Sequence, residues 1–193
     1  GLMDGINSNE QRFDQNLLTG CLTLLDLSVA NISVEITGAM CEDGLNLVRV
    51  AGDINNVIVK NVLFDAIDAD FSKLNFSNID IQDAGNDCVD LSSGEYYIDN
   101  ANLSDCEDKG FSVGEKSKLS INSAKISKTN IGIAAKDSSV VKVNNISTNS
   151  IAMCLSAYNK KQEFWGGKIT VNKHNCKKNQ FFQQKNSLVE FIK

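Results

Sequence analysis

Apolar and polar residues alternate along this chain in short bursts, and the bursts recur. Leu45, Ala69, Val89, Phe111, Ile133 and Met153 each open a run whose next apolar residue stands two positions on, at Leu47, Phe71, Leu91, Val113, Ala135 and Leu155. Alternation with period two predicts short strands with one buried face. The steps between runs are 24, 20, 22, 22 and 20 residues. A period near 22 predicts a solenoid in which like residues stack over like. The intervening residues Asn46, Asp70, Asp90, Ser112, Ala134 and Cys154 are then expected to point outward.

Two further strands are predicted in each coil. The second has inward pairs such as Val57 and Val59, Leu74 and Phe76, Tyr96 and Ile98, and Leu119 and Ile121. The third has pairs such as Val62 and Phe64, Ile79 and Ile81, Ala101 and Leu103, and Ala124 and Ile126. Just before the third strand stand Asn31, Asn61, Asn78, Asn100, Ser123 and Asn145. Asparagine tolerates left-handed backbone angles and bonds to nearby backbone groups. Stacked in successive coils, these amides are expected to form a buried ladder along the axis. The absence of proline fits strands paired on both edges, where a missing donor breaks the ladder.

The asparagine row resembles that of right-handed parallel β-helices of the pectate-lyase type. The expected architecture is all-β: a single-stranded right-handed parallel β-helix of about six to seven coils. It runs over residues 21–175, with residues 1–20 as an N-terminal cap and 176–193 as a C-terminal cap. Residues 157–167 break the period and carry the only tryptophan, Trp165. Such an insertion either flanks a binding groove or covers a core edge.

Composition narrows the partners. The net charge of −5 and pI of about 4.9 argue against a nucleic-acid ligand, because phosphate binding needs a basic face. No apolar run reaches the roughly 20 residues that span a bilayer. Residues 1–17 lack the basic start and apolar centre of a signal peptide, and the opening Gly1-Leu2-Met3 suggests an excised domain or a processed product. The six cysteines allow many pairings, and both free buried thiols and disulfides of an exported protein remain open. His174 is the only histidine and there is no Cys-x-x-Cys, so no zinc site is expected.

The stretch Asn86-Asp87-Cys88-Val89-Asp90-Leu91-Ser92 looks like the Asp-Asp-Cys coil of polygalacturonases, which are β-helical glycoside hydrolases. Asp108 to Gly114 resembles their Gly-His-Gly coil, Ile131 to Lys136 their Arg-x-Lys coil, and Asp65 to Ser72 stands where they carry Asn-Thr-Asp. The resemblance implies a polysaccharide ligand but carries the catalytic set over poorly. Asn86 replaces one of the paired aspartates, Lys109 the histidine and Ala134 the arginine, while the last aspartate falls on Ile67 beside Asp68. Asp87 and Lys136 survive.

Independently of any family, Asp68, Asp70 and Asp90 are expected on one outer face, with Asp65, Asp87, Glu107 and Asp108 at its edge. Coils stacked about 4.8 Å apart crowd these carboxylates. Three responses are open. Calcium held by Asp70 and Asp90 suits an oxygen-rich cluster; Lys109 and Lys136 offer ion pairs; and a crowded carboxyl has the raised pKa of a catalytic acid. The candidate catalytic set is Asp68, Asp70, Asp87, Asp90 and Lys136, with Lys109, Ser92, Ser112 and Trp165 as candidate substrate-binding residues. The functional expectation is an extracellular or surface-exposed polysaccharide-recognising domain without hydrolase activity. The alternatives are an active carbohydrate hydrolase, lyase or epimerase, and a structural module joined to other domains of a larger chain.

Overall fold

A computed structural model describes residues 17–192 and shows a parallel β-solenoid of about eight turns, with no helix among the described residues. Each turn supplies one strand to each of two sheets. The first sheet stacks β1 (Gly20–Leu25), β3 (Asp43–Val48), β5 (Asp65–Asp70), β7 (Val89–Ser92), β9 (Lys109–Gly114), β11 (Ile131–Lys136), β13 (Met153–Tyr158) and β15 (Phe181–Gln183). The second stacks β2 (Ser28–Thr37), β4 (Ala51–Val62), β6 (Lys73–Ala84), β8 (Glu95–Cys106), β10 (Lys118–Ser127), β12 (Val140–Asn149), β14 (Lys168–His174) and β16 (Leu188–Phe191). The expected six to seven coils become eight because β1–β2 and β15–β16 each close a turn that the sequence pattern shows only faintly. Of the segment expected as an N-terminal cap, residues 1–16 lie outside the described residues.

The register is stricter than the alternation predicted. Leu45, Ile67, Val89, Phe111, Ile133 and Leu155 are direct partners, and Leu47, Ala69, Leu91, Val113, Ala135 and Ala157 form the second inward row. Two assignments from the pattern are therefore corrected by two residues. Ala69 belongs to the second row, with Ile67 in the first, and Leu155 rather than Met153 follows Ile133. Phe71 is 59% exposed rather than inward. Alternation alone cannot separate a strand position from one two residues away, because both face the same way.

The predicted second and third strands are one long strand per turn. A pair of consecutive outward residues, such as Ser77-Asn78 in β6, bends it around the core. Val57 and Val59 partner Ile79 and Ile81, so they occupy the far half of the strand, not the near half. The row of Asn78, Asn100, Ser123 and Asn145 is observed, but its N-terminal members are Ser33 and Asn56, not Asn31 and Asn61. These residues lie on the outside, not buried.

Asn61 does another job. Left-handed backbone angles mark the corners of the coil: Arg49, Phe71, Ser93, Glu115 and Asp137 leave the first sheet with φ of 52–54°. Asn61, Asp83, Asp105, Lys128 and Ser150 leave the second with φ of 53–66°. Ser72, Ser117 and Ser139 sit buried just past the first set, their hydroxyls donating to the carbonyls of Leu47, Leu91 and Val113 of an earlier coil. These bonds tie each corner to the strand one coil earlier.

All six cysteines pair: Cys21–Cys41, Cys88–Cys106 and Cys154–Cys176, with Cα separations of 5.4, 5.6 and 5.9 Å. Each bridge closes about one turn. Cys88 and Cys106 are both fully buried in the centre of the solenoid. Replacing them together by alanine is expected to cost about 3 kcal/mol for a loop of this length. That corresponds to a melting temperature lower by roughly 6–12 °C in a domain of this size, read by differential scanning calorimetry. An unchanged melting temperature would show that this bridge does not restrain the unfolded chain.

Candidate functional site

The outer face of the first sheet carries polar residues in three columns, each set by the coil register. Asp43, Asp65, Asp87 and Lys109 form one. Asn46, Asp68, Asp90 and Ser112 form the next, and Asp70 and Ser92 stand in the third, which continues to Lys136. Successive strands bring the carboxyl-bearing backbones of Asp68 and Asp90 within about 4.8 Å.

Two lysines close the face at its C-terminal end. Nζ of Lys109 donates to Oδ1 of Asp87 at 3.2 Å and also to Asp108. Burial disfavours the Lys109 charge, but Asp87 and Asp108 outweigh it and hold the ammonium above its ordinary pKa. Nζ of Lys136, itself buried, donates to Ser112 Oγ at 2.6 Å and lies 4.0 Å from Oδ1 of Asp90. That Asp90 oxygen is buried and accepts no hydrogen bond.

Burial and crowding raise the proton affinity of four of these carboxyls. Burial, then the charges of Asp43, Asp70, Asp90 and Asp65, push Asp68 up to about 9. Burial also raises Asp65 to about 7, against the hydrogen bond that its carboxylate accepts from the Asp87 backbone N–H. Asp70 rises to about 6 through burial and then Asp90, and Asp87 rises because burial outweighs the attraction of Lys109. Asn46 Nδ2 donates to Asp68 Oδ2 at 3.2 Å, so the amide sits where a second charge would repel.

The calcium expected at Asp70 and Asp90 gains no support, since among the described residues no group of three or more His, Cys, Asp or Glu side chains is placed to hold a metal ion. Asp70 is in register with Ser92, and Asp90 with Asp68.

Asp68, Asp70, Asp87, Asp90, Lys109, Lys136, Ser92 and Ser112 therefore share one face. Trp165 does not join them. It is 74% exposed at the corner beyond Lys136, where its backbone N–H donates to Ser138 Oγ at 2.9 Å. The inserted loop that carries it is anchored by Asp137, whose Oδ1 accepts from the backbone N–H groups of Lys160 and Lys161. The side chain of Lys161 reaches back to Glu115. Phe71 occupies the same line of corners four coils earlier, in the left-handed conformation with φ of 52°. A bulky side chain rarely adopts that conformation.

Two contributors were not singled out from the sequence. Asp43 heads the first acidic column, and counting one period back from Asp65 would have found it. Tyr158 takes the last position of the third column, where burial raises its phenol pKa; its place follows from the same count past Lys136.

These features define a parallel β-solenoid with an acidic, partly protonated outer face closed by two lysines. No protein-family model, curated protein or solved structure matches the chain. The likeness to polygalacturonase coils thus rests on the sequence motifs alone.

Proposed function

We propose that the first sheet's outer face is a polysaccharide-binding surface of an exported protein, without hydrolase activity. The observation that carries this reading is Oδ1 of Asp90, which accepts no hydrogen bond and lies 4.0 Å from the Lys136 ammonium on this face. A buried acceptor without a hydrogen bond costs about 1–3 kcal/mol, and a turn of the carboxylate, whose side chain is 27% exposed, would present that oxygen to a sugar hydroxyl and offset the cost. Protonated Asp68 adds a donor, and the half-buried Asp70 and Ser92 beside it add polar contacts, in rows repeated once per coil. Exposed Phe71 and Trp165 stand about 19 Å apart along the corner line, four coil spacings, as stacking platforms at either end. Three disulfides fit an oxidising compartment.

Pull-down on insoluble acidic and neutral polysaccharides, followed by calorimetry on the best binder, tests the reading. Asp90→Ala and Trp165→Ala are each expected to weaken binding about tenfold, a change of about 1.4 kcal/mol. Retention on none of the polysaccharides overturns it.

A carbohydrate enzyme is the second reading, favoured by one observation. Asp68 and Asp90 are neighbours, and Asp68 stays protonated at neutral pH, which gives a proton donor beside a second carboxyl. Release of reducing ends or of unsaturated products, lost in Asp68→Asn, would establish it. Turnover undiminished in that variant would remove this pair from any mechanism.

A further inference from the structure

We infer a second saccharide-binding site on the opposite face of the solenoid, for a neutral, straight polysaccharide chain lying along the axis of the second sheet. A groove of about 750 Å³ runs there across β8, β10, β12 and β14, lined by Tyr97, Ser120, Asn122, Asn144, Thr170 and Asn172 among others. Its polar groups form two parallel rows. Tyr97, Ser120, Lys142 and Thr170 are register partners in one. In the other, side-chain amides are bonded in series: Asn122 Nδ2 donates to Asp99 Oδ1 at 2.8 Å, Asn144 Nδ2 to Asn122 Oδ1 at 3.0 Å, and Asn172 Nδ2 to Asn144 Oδ1 at 2.9 Å.

The series fixes each amide in one orientation. It uses one N–H and one oxygen lone pair of each interior amide, leaving a second N–H and a second lone pair outward. The result is a preorganised donor–acceptor pair repeated about every 4.8 Å, a spacing close to the length of one pyranose, and adjacent ring hydroxyls match such a pair. Preorganisation lowers the ordering cost of binding. Tyr97, 44% exposed at one end of the groove, offers a ring face to the C–H face of a sugar. Charge selects the ligand further. Among the described residues, Lys142 is the single charged side chain in the lining, so the groove presents amides and hydroxyls to a partner that must match them without a net charge. This reasoning does not depend on the first sheet, and a chain held on each face would let one molecule bridge two polysaccharide strands.

The test uses the full chain with cellohexaose, xylohexaose and mannohexaose, followed by calorimetry and by amide chemical shifts. Binding of at least one is expected, with shifts concentrated on the side-chain amides of Asn122, Asn144 and Asn172. Tyr97→Ala is expected to weaken binding at this groove about tenfold and to remove the shifts of Asn122, Asn144 and Asn172, whereas Asp90→Ala, which acts on the other face, is expected to leave those three shifts in place. If Tyr97→Ala folds poorly, the wild-type shift pattern alone decides the location. Absence of binding to all three, or shifts and losses that follow Asp90 instead of Tyr97, overturns the second site. In the latter case the first-sheet reading stands while this one falls.

Discussion

Raising the pH from 5 to 9 is expected to lower the melting temperature by roughly 8–16 °C, equivalent to about 4 kcal/mol in a domain of this size, which is about half of the full proton linkage once solvent screening of part-exposed groups is discounted. The cause is the acidic face. Asp65, Asp68 and Asp70 have folded-state pKa values of about 7, 9 and 6, all above the value of about 3.9 for an unfolded aspartate. Between those limits the native state holds protons that the unfolded state has released. Stability must then fall as the pH rises. The stabilisation is fully present below the unfolded pKa and is lost progressively as the pH passes the folded values, levelling off above about 9. This is the reverse of the usual salt-bridged carboxylate, and it follows from stacking the six acids Asp43, Asp65, Asp68, Asp70, Asp87 and Asp90 where only Lys109 and Lys136 are at hand.

Asp68→Asn isolates the effect. It removes the most perturbed carboxyl while keeping an oxygen to accept from Asn46 Nδ2. The variant is expected to match the wild type at pH 5 and to exceed it by about 2 kcal/mol at pH 9. That figure is conservative, since every tenfold change in proton affinity between the folded and unfolded chains is worth about 1.36 kcal/mol. Thermal melts at five pH values, for both proteins, decide it. A melting temperature that is flat or rising toward pH 9, or parallel curves for the two proteins, would show that Asp68 is ionised in the fold.

How far the sequence disclosed this molecule differs between its halves. Around Val89, Phe111 and Ile133 the apolar pairs sit at the true period, and strand positions, inward rows and the outer acidic face can be read directly. At Ala69, Phe71 and Met153 the same rule slipped by two residues. Period two does not distinguish neighbouring inward positions, and only the neighbouring strand's hydrogen bonds do. Asn61 misled for a different reason. A left-handed asparagine suits any corner, and its corner closes the second sheet instead of bending it. The candidate site was legible as a set of residues because outward positions follow from inward ones. Its electrostatics were not, since protonation depends on burial, and no sequence pattern reports how deeply Asp68 sits. Nor did the motifs show the amide series on the second sheet. The row that the pattern picks out passes through Ser123 and Asn145, one position C-terminal to Asn122 and Asn144, in the neighbouring outward column.

Phe111→Ala is expected to destabilise the protein by about 3–5 kcal/mol, the cost of emptying a fully enclosed phenylalanine site. Val189→Ala, in the last strand of the second sheet, is expected to cost about 1 kcal/mol, because a partly exposed site leaves a smaller cavity. The contrast tests more than packing. In a solenoid each coil touches only the coils before and after it, so stability is close to a sum of coil and interface terms. Phe111 lies in the first sheet's fifth strand, stacked between Val89 and Ile133, and its loss weakens two interfaces at once. The coils on either side then lose part of their coupling, and the urea m-value should fall together with the midpoint, since m tracks the surface exposed in one cooperative step. Among the described residues Val189 has a strand on one side only, so its truncation should shift the midpoint and leave m unchanged. Equal losses at the two sites, or an unchanged m for Phe111→Ala, would mean that the eight turns unfold as one indivisible unit in which position along the axis has no bearing.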